Sequence, residues 1–363
     1  MSSKNIGITA VGLHFPSLAM EVKELAKLRR IDPEKFTLGL GCREFSLCSQ
    51  YENIADLAVK AAQKALAHWP KSPYDIGMVV VGTESSLDMS RPVSAWVAEQ
   101  LHLSGMIRSY EVKHACYGGT LAIKQAVEWK LSGAGGKKAA LVIAADISLY
   151  EPQSNAEPTQ GAGAVAFIID EDPQIAEIDL LSYPWSRPVF DFWRPINEKY
   201  PQVNGELSLE CYKEAVLNCF NLLIKDIGIN ALEFEFDAHC FHVPFPKMVK
   251  KAVFHLLQHQ GWNNEKIELY FKEKIESTME WNQLSGNCYT ASLWLAVTKA
   301  LSQLKPKQKL SAFSYGSGYG AELLTLTAGP QVNSPYWIAE TEKIFHERKK
   351  VSATEYQLLR QND

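Results

Sequence analysis

The chain lacks a strong net charge, and this absence argues against one class of partner. Its 363 residues include 37 basic and 41 acidic ones, which leaves a formal net charge of −4. Proteins that bind nucleic acid need a basic face, so we expect no nucleic-acid partner. The composition is otherwise typical of a globular protein, because 46% of the residues are apolar and 21% are charged. A disordered chain is therefore excluded.

Long hydrophobic runs are also missing. No apolar stretch approaches the roughly 18 residues that a membrane-spanning helix needs, so we expect no membrane partner. The first residues show no charged leader followed by a long apolar core, and we expect no signal peptide. The seven cysteines are odd in number and no pair has Cys-x-x-Cys spacing. They therefore predict a reducing, cytoplasmic setting rather than a disulfide-linked protein.

Common cofactor and metal motifs are absent as well. Neither Gly-x-x-x-x-Gly-Lys-Ser/Thr nor Gly-x-Gly-x-x-Gly occurs, so nucleotide binding through such loops has no support. His255 and His259 have the spacing of paired zinc ligands on one helix. Leu256, however, stands where the glutamate of a His-Glu-x-x-His motif belongs. We expect neither a metal nor a cofactor.

Strand-like and helix-like segments alternate through most of the chain, which predicts an α/β fold with a largely buried sheet. In the first half, the apolar runs 78–81, 140–144 and 161–169 are typical of central strands. Residues 92–101 and 117–131 between them have helical spacing.

The pattern restarts after an acidic turn near Asp172. We predict a strand over 175–183 and an irregular, aromatic-rich stretch over 185–205. Further helices are predicted over 207–224, 247–259, 289–304 and 334–348, and further strands over 236–241, 310–315 and 322–326. We therefore predict two similar halves, residues 1–172 and 173–363, the second with a peripheral C-terminal helix.

Cys116 is the strongest candidate for chemistry, because it lies between a predicted strand and the start of a long predicted helix. Free N–H groups and the dipole at a helix start stabilise a thiolate. The glycines Gly118 and Gly119 would let a substrate approach the backbone closely. These properties suit a nucleophile that forms a covalent acyl intermediate. The alternative is a buried structural cysteine.

Two more side chains stand at predicted strand ends, where α/β sites usually form. Glu84 is either a general base with a raised pKa or a solvated loop acid. His242 is either a substrate-binding residue or a structural histidine. The glycine-rich segment 316–320 could supply backbone donors for an oxyanion, and Asn287 is predicted to cap a helix.

Eight short motifs lie between about residues 6 and 326. They are GLG at 39–41, GTESSLD at 82–88, ACYGGT at 115–120, EPTQGAGA at 157–164, DFWRP at 191–195, FHVPFPKM at 241–248, GNCYT at 286–290 and SYGSG at 314–318. One such motif would be weak evidence, but the ordered set is specific. It resembles the hydroxymethylglutaryl-CoA synthase family, whose members are thiolase-fold condensing enzymes.

The resemblance implies a stacked αβαβα thiolase fold, normally a homodimer. It also implies that acetyl-CoA, acetoacetyl-CoA and water give hydroxymethylglutaryl-CoA and free CoA, in the mevalonate (isoprenoid) pathway. Cys116 matches the acyl-accepting nucleophile, Glu84 the acid/base and His242 the residue that binds the acetoacetyl carbonyl. CoA thioesters are substrates here, so the resemblance implies no separate cofactor.

The resemblance also assigns supporting residues. The main-chain N–H groups of Cys116 and Ser317 are expected to stabilise the charge of a thioester enolate. The side chains that match substrate-binding or supporting positions are Asn287, Tyr150, Asp146, Asp191 and Thr159. Lys247, Lys250 and Lys251 lie at one predicted helix start, where they could meet CoA phosphates or form a solvated face.

Two other interpretations stay open. The run 111–116 is close to relatives that build β-branches in polyketide assembly lines, acting on substrates bound to acyl carrier protein. Segments 157–164 and 191–195 look more like the mevalonate enzyme, so free CoA substrates are favoured. A thiolase-fold scaffold without catalysis is a third interpretation, and the three catalytic residue types argue against it. The departures from the family pattern that bear on pocket shape are Asn204, Pro92 and Cys42.

Overall fold

The computed structural model describes residues 5–103 and 105–361, and mixed strands and helices alternate along them. The strands are β1 (Ile6–His14), β2 (Leu18–Glu21), β3 (Glu44–Leu47), β4 (Ile76–Gly82), β5 (Arg108–Val112), β6 (Ala139–Ser148), β7 (Gly161–Glu171), β8 (Ala176–Ile178), β9 (Tyr183–Ser186), β10 (Phe192–Trp193), β11 (Gln202–Val203), β12 (Ala238–Phe241), β13 (Lys309–Gly316), β14 (Gly320–Ala328) and β15 (Lys349–Lys350).

The helices cover both faces of the resulting sheet. They are α1 (Val22–Arg29), α2 (Glu34–Thr37), α3 (Ile54–Ala67), α4 (Val93–Gln100), α5 (Gly118–Leu131), α6 (Gly205–Ile227), α7 (Asn230–Phe234), α8 (Pro246–His259), α9 (Asn264–Lys274), α10 (Asn282–Ser285), α11 (Ala291–Leu301), α12 (Trp337–Glu347) and α13 (Ala353–Gln361). The predicted α/β class is confirmed.

Ten strands form one sheet in the order β12-β13-β14-β8-β1-β7-β6-β4-β5, and β9 pairs with β14. In the first half β4 is parallel to β5 and β6, and β6 is antiparallel to β7. In the second half β12 is parallel to β13, and β13 is antiparallel to β14. The short strand β8 joins the two sets because it pairs with both β1 and β14. The boundary near Asp172 stays a prediction.

The strands of the first half are buried on both faces, which explains why they were visible as continuous apolar runs. On β4, Met78 and Val80 point into one core, whereas Val79 and Val81 point into the other. Residues of α3 and α4 fill the second core, and residues of α5, α6, α8 and α11 fill the first. Helices α3 and α4 thus pack on one face of the first-half strands and α5 packs on the other, and the strand ends carry the loops of the site.

The strand expected over 175–183 is wrong as a single element. The structure has β8 and β9 there, separated by a segment in which Leu180 and Leu181 are exposed. The main-chain carbonyl of Leu180 accepts a hydrogen bond from Lys124 instead of pairing in the sheet. The run looked like a strand because six of its nine residues are apolar, although Leu180 and Leu181 face solvent.

Three further structural findings bear on function. Within residues 5–103 and 105–361, no helix is both long and apolar enough to cross a membrane. Over those same residues, no group of three or more His, Cys, Asp or Glu side chains is placed to hold a metal ion. None of the seven cysteines, all of which the structure describes, forms a disulfide.

Candidate active site

The predicted nucleophile and the predicted base lie side by side. The Sγ–H of Cys116 donates a hydrogen bond to Oε1 of Glu84, with 3.7 Å between sulfur and oxygen. Gly82 at the end of β4 makes this approach possible, because a Cβ there would lie 2.4 Å from the Cα of Gly119 in the first turn of α5. A larger residue would push the helix and its nucleophile away from the base.

The electrostatics of Cys116 differ from the expectation. Burial, together with the neighbouring carboxylates of Glu84 and Asp146, raises the pKa of the thiol well above its usual 9.0. The helix begins at Gly118, two residues after the cysteine, so the sulfur is not within the first helical turn. The prediction of a stabilised thiolate is therefore wrong for the resting site. The thiol is protonated and needs a base.

Glu84 has the properties of that base. It is half-buried, and burial is the main cause of a pKa raised above the usual 4.5. The charge of Asp146 raises this pKa further, while Arg194 and the hydrogen bond from Cys116 lower it. A carboxylate with a raised pKa takes and returns protons readily near neutral pH.

Asp146 is the fully buried centre of a hydrogen-bond network. Its Oδ1 accepts from the hydroxyls of Thr83 and Ser85 and from the main-chain N–H of Glu84, each at 2.8 Å. Its Oδ2 accepts from the N–H of Thr290 at 3.1 Å. Burial raises the pKa of Asp146, and these hydrogen bonds oppose the rise. Asp146 thus ties the Glu84 loop to the start of α11, and it acts on the base by position.

Aromatic rings line the space beside the thiol. Cys116 clusters with the buried rings of Tyr150 and Tyr289 and with the partly buried Phe192. The ring centroids of Tyr150 and Tyr289 lie 6.3 Å apart, and those of Phe192 and Tyr289 lie 5.8 Å apart, both edge-to-face. Such packing fixes each ring. The wall excludes water from the nucleophile, which is consistent with the raised pKa of its thiol.

Asn287 does not cap a helix, so that prediction is wrong. The cap position of α11 is Thr290, and the side-chain oxygen of Asn287 accepts instead from the N–H of Tyr289 at 2.9 Å and the hydroxyl of Ser292 at 3.0 Å. Its own N–H donates to the carbonyl of Thr159 at 2.9 Å. The structure therefore brings two predicted substrate-binding residues, Asn287 and Thr159, together behind the aromatic wall.

His242 directly follows β12 and is only 2% exposed. Its main-chain N–H donates to the carbonyl of Phe313 at 2.8 Å, and its carbonyl accepts from the hydroxyl of Tyr212 at 2.6 Å. The ring Nδ1 is buried without a hydrogen-bond partner among the described residues. Burial also lowers the pKa of His242 to about 3. The imidazole is thus neutral.

The end of β13, the strand beside β12, meets the nucleophile loop. A Cβ on Gly316 would lie 2.5 Å from the carbonyl oxygen of His114 and 2.7 Å from the main-chain nitrogen of Tyr117. Only glycine permits so close an approach. Ser317, a predicted oxyanion donor, is half-buried in the turn that follows. The second half of the chain therefore contributes this turn to the nucleophile loop, and His242 follows the parallel strand β12 beside it.

Asp191 fixes that turn and also the two-stranded ribbon of β10 and β11. Its buried carboxylate accepts from the hydroxyl of Tyr315 at 2.9 Å and from the N–H of Gly318 at 3.2 Å. Its carbonyl accepts from the N–H of Asn204 at 2.9 Å. The side chain of Asn204 in turn accepts from the N–H of Leu207 and caps α6. The departure from the family pattern at Asn204 thus leaves a working helix cap.

The predicted CoA-binding lysines border a separate groove of about 520 Å³ beside α6 and α8. Lys247 and Lys251 are exposed there, whereas Lys250 pairs with Glu268. The lining residues are Leu209, Lys213, Lys247, Lys250, Lys251, Phe254, His255, Gln258 and Glu268. The groove is rich in cations but contains none of the three predicted catalytic residues.

Sequence reasoning missed two contributors to the site. No role was assigned to Arg194, yet its Nη2 donates to the main-chain carbonyl of Glu84 at 2.6 Å. No role was assigned to Tyr289 either, although it lies in the wall beside Cys116. Both residues belong to motifs already singled out, at 191–195 and 286–290, so motif membership was the available signal.

Comparison with protein families gives a match over nearly the whole chain. The model of hydroxymethylglutaryl-coenzyme A synthase, N terminal, matches residues 2–174. The model of hydroxymethylglutaryl-coenzyme A synthase, C terminal, matches residues 179–270 and 265–361.

Curated proteins give the same result. The hydroxymethylglutaryl-CoA synthase of Enterococcus faecalis is 34% identical over 331 residues, which cover 90% of this chain and 84% of that protein. The cytoplasmic hydroxymethylglutaryl-CoA synthase of Homo sapiens is 30% identical over 373 residues, which cover 89% of this chain and 72% of that protein.

Solved structures share the fold. MvaS in complex with 3-hydroxy-3-methylglutaryl coenzyme A has a TM-score of 0.91 at 34% identity, over 98% of this chain and 91% of that one. The HMG synthase of the curacin biosynthetic pathway, in complex with an acetyl donor carrier protein, has a TM-score of 0.91 at 28% identity, over 98% and 88% of the two chains. The fold predicted from the sequence is confirmed by these similarities.

Proposed function

The chain belongs to the hydroxymethylglutaryl-CoA synthase family, and we propose that it condenses acetyl-CoA with acetoacetyl-CoA through an acetyl intermediate on Cys116. The observation that carries this proposal is the 3.7 Å contact between the sulfur of Cys116 and the carboxylate of Glu84. The relatives named above support the overall reaction, an acyl transfer between CoA thioesters.

The first step is acyl transfer to the cysteine. The carboxylate of Glu84 accepts the thiol proton along the existing hydrogen bond, and the thiolate attacks the thioester carbonyl of acetyl-CoA. The bond between that carbonyl carbon and the CoA sulfur breaks. The departing CoA thiolate takes the proton back from Glu84. The step leaves an acetyl thioester on Cys116 and free CoA.

Carbon–carbon bond formation follows. Glu84 removes a proton from the acetyl methyl group, and the main-chain N–H groups of Cys116 and Ser317 stabilise the enolate oxygen. The enolate carbon attacks the ketone of acetoacetyl-CoA while neutral His242 donates a hydrogen bond to the ketone oxygen. The resulting alkoxide takes the proton from Glu84. Water then cleaves the thioester to Cys116, giving a carboxylate and restoring the thiol.

Other polar residues would bind the substrates. Tyr150, Asn287 and Thr159 are proposed to position the acyl groups, since Tyr150 belongs to the aromatic wall beside the nucleophile and the other two lie behind it. Lys247 and Lys251 are proposed to meet the CoA phosphates, because the groove that they border is rich in positive charge. Relatives solved with CoA and with hydroxymethylglutaryl-CoA support CoA thioesters as the substrates.

A second candidate function is β-branching on acyl-carrier-protein substrates in polyketide biosynthesis. It is favoured by the TM-score of 0.91 to the curacin pathway enzyme in complex with a donor carrier protein. Free CoA substrates and the mevalonate pathway remain our first proposal, because identity is higher, at 34%, to the Enterococcus synthase.

We propose a homodimer in a reducing, cytoplasmic setting. Strand β5 lies at one edge of the ten-stranded sheet, immediately before the nucleophile loop. Met89 and Met106, which both precede β5 in sequence, are 80% and 88% exposed. An open edge beside exposed apolar side chains favours pairing with a second copy. The seven reduced cysteines favour the proposed compartment.

Labelling with acetyl-CoA tests the nucleophile. Wild-type protein incubated with isotopically labelled acetyl-CoA should gain one acetyl group, and Cys116→Ala should gain none. Cys48→Ala is the matched control, because Cys48 is a half-buried cysteine outside the proposed chemistry, and it should label normally. A folded Cys116→Ala protein that still carries the label would overturn the assignment.

Two further measurements separate the base role and the substrate class. Glu84→Ala should accept the label, more slowly than wild type, and yet form no condensation product. A normal condensation rate in this variant would remove Glu84 from the proposed role.

The substrate class is tested by comparing turnover with acetoacetyl-CoA and with acetoacetyl carrier protein. Efficient turnover of the protein-bound substrate alone would replace our first proposal by the second.

A further inference from the structure

The main chain of Glu84 is held from both sides by oppositely charged groups. Its N–H donates to the carboxylate of Asp146 at 2.8 Å, and its carbonyl accepts from the guanidinium of Arg194 at 2.6 Å. Asp146 belongs to the first half of the chain, whereas Arg194 follows β10 in the second half. The loop that carries the base is thus fixed by one contact from each half.

The ribbon that carries Arg194 is itself anchored. Strands β10 and β11 pair with each other, and Asp191, next to β10, is bonded to Tyr315 and Gly318. Phe192 packs edge-to-face on Tyr289 within the aromatic wall. Two of the three residues before Arg194 therefore have fixed places in the site. The guanidinium reaches Glu84 from a rigid support, although Arg194 itself lies at the surface.

We propose that Arg194 is a positioning residue for the reaction. Its guanidinium holds the main chain of Glu84 and so keeps the carboxylate within hydrogen-bond distance of the sulfur of Cys116. This inference rests on the proposed function, since it takes Glu84 to be the base. Displacement of a general base by about 1 Å costs up to about a hundredfold in rate. A hydrogen bond from a charged donor to the base's own peptide group restricts such displacement.

The charge of Arg194 also acts on the base. The titratable and charged groups that face Glu84 are Asp146, Cys116, Lys113, Arg194, Tyr150 and Tyr289. Asp146 raises the pKa of Glu84, whereas Arg194 lowers it more than Lys113 does. Loss of the guanidinium therefore raises the pKa of the base, and a larger fraction of Glu84 is then protonated and inactive at a given pH.

The test is the pH profile of Arg194→Gln in the full-length protein. We expect kcat at the pH optimum to fall about tenfold. The acid limb of kcat/KM should move to higher pH by about 0.5 to 1 unit. KM for both thioesters should stay within about twofold. Arg194→Lys keeps the positive charge but lacks the planar guanidinium group. It should therefore return the acid limb of kcat/KM to its wild-type pH while recovering only part of kcat.

Arg187→Gln is the matched control. Arg187 lies in the same segment, its side chain is 47% exposed, and its guanidinium pairs with Glu214 at 2.8 Å. It should leave both kcat and the limb unchanged. Labelling of Cys116 by acetyl-CoA checks that each variant retains an intact nucleophile.

Three results would count against the inference. If Arg194→Gln had the wild-type kcat and the wild-type acid limb of kcat/KM, the inference about Arg194 would be overturned. The proposed function would stay in place, provided that Glu84→Ala is inactive. Equal losses in Arg194→Gln and Arg187→Gln with an unmoved limb would reduce Arg194 to a structural role. Condensation by Glu84→Ala at the wild-type rate would overturn the proposed function and this inference with it.

Discussion

In the first half of the chain, both oxygens of Asp146 accept hydrogen bonds and the Glu84 loop is held from two sides. In the second half, His242 keeps a buried ring nitrogen without a partner among the described residues. The difference fits the two tasks that we propose. A base that must reach one methyl proton gains from a single fixed geometry. A group that binds a substrate carbonyl must keep its hydrogen bond available until the substrate arrives.

The two regions resemble each other in one respect, since burial disfavours the charged form of each group. Burial raises the pKa of Glu84 and Cys116, whereas it lowers the pKa of His242 to about 3. Charge that develops during the reaction is therefore costly unless hydrogen-bond donors meet it. The fixed donors around it are in place before that charge appears, which is the arrangement that stabilises a transition state in a site of low dielectric constant.

The largest effect is expected from Asp146→Asn. The amide can accept on one side only, so its NH₂ group faces either the N–H of Thr290 or the donors around Glu84, and the loop loses its fixed geometry. We expect kcat to fall by about a thousandfold. The acid limb of the pH profile should move to lower pH, because the carboxylate that raises the pKa of Glu84 is gone. Steady-state kinetics across pH measures both.

Asp170→Asn serves as the control for Asp146→Asn. Asp170 is also a buried aspartate on the central sheet, but it pairs with Lys130 and Lys71 at 2.8 and 2.6 Å. Its replacement should lower stability and leave kcat unchanged. If both variants lost activity in proportion to their stability, the fixed geometry around Glu84 would have no special role.

The next effect comes from two buried histidines near the same strand. His242→Gln should lower kcat/KM for acetoacetyl-CoA about a hundredfold and leave acetylation of Cys116 unchanged. His239→Gln should affect stability rather than catalysis, because the ring of His239 is hydrogen-bonded to Ser311 at 2.6 Å and to Tyr270 at 2.5 Å. It should lower the midpoint of urea unfolding and keep kcat/KM. Equal kinetic losses in the two variants would contradict the proposed role of the unpaired nitrogen.

The three candidate catalytic residues could be placed from sequence for a physical reason. Strands buried on both faces are continuous apolar runs, and polar residues that follow them are therefore visible as strand-end residues. Glu84 and His242 both follow such strands, and Cys116 precedes a helix with clear periodicity. Glu84 and Cys116 follow the parallel neighbours β4 and β5. The close approach of Gly316, at the end of β13, to the loop of Cys116 then brings the second half of the chain to that loop.

Contacts between distant residues could not be placed in this way. Arg194 reaches Glu84 across 110 residues, and Arg360 of α13 donates to the carbonyl of Tyr150 at 2.7 Å across 210 residues. Arg360 does not differ in sequence from a solvated surface cation, and for Arg194 the available signal was its membership of the motif at 191–195. The pKa of Cys116 was also misjudged, because the helix start predicts a lower value, whereas burial and two carboxylates act in the other direction. The local sequence around Cys116 shows the start of α5, but not the carboxylates of Glu84 and Asp146, which come from distant positions in the chain.

The two regions should also differ in how their stability depends on pH. The pKa of His242 is about 3 in the folded protein and 6.5 without burial. The unfolded chain therefore binds more protons between these values, and this residue destabilises the fold as the pH falls below 6.5. Relative to wild type, His242→Gln should gain about 1 to 2 kcal/mol at pH 5 over its value at pH 8. Urea unfolding at both pH values measures the difference, and a constant difference would contradict it.

Glu84 should show the opposite dependence with a smaller magnitude. Its folded pKa is raised above the unfolded 4.5, so its contribution is fully present below pH 4.5 and is lost as the pH rises through the folded value. Glu84→Gln removes this loss, and we expect about 1 kcal/mol of added stability at pH 9 and none at pH 4. Because Glu84 is half-buried, water screens part of the effect. Unfolding curves at pH 4 and pH 9 provide the measurement, and a variant less stable than wild type at pH 9 would show that the hydrogen bond to Cys116 outweighs the burial of the charge.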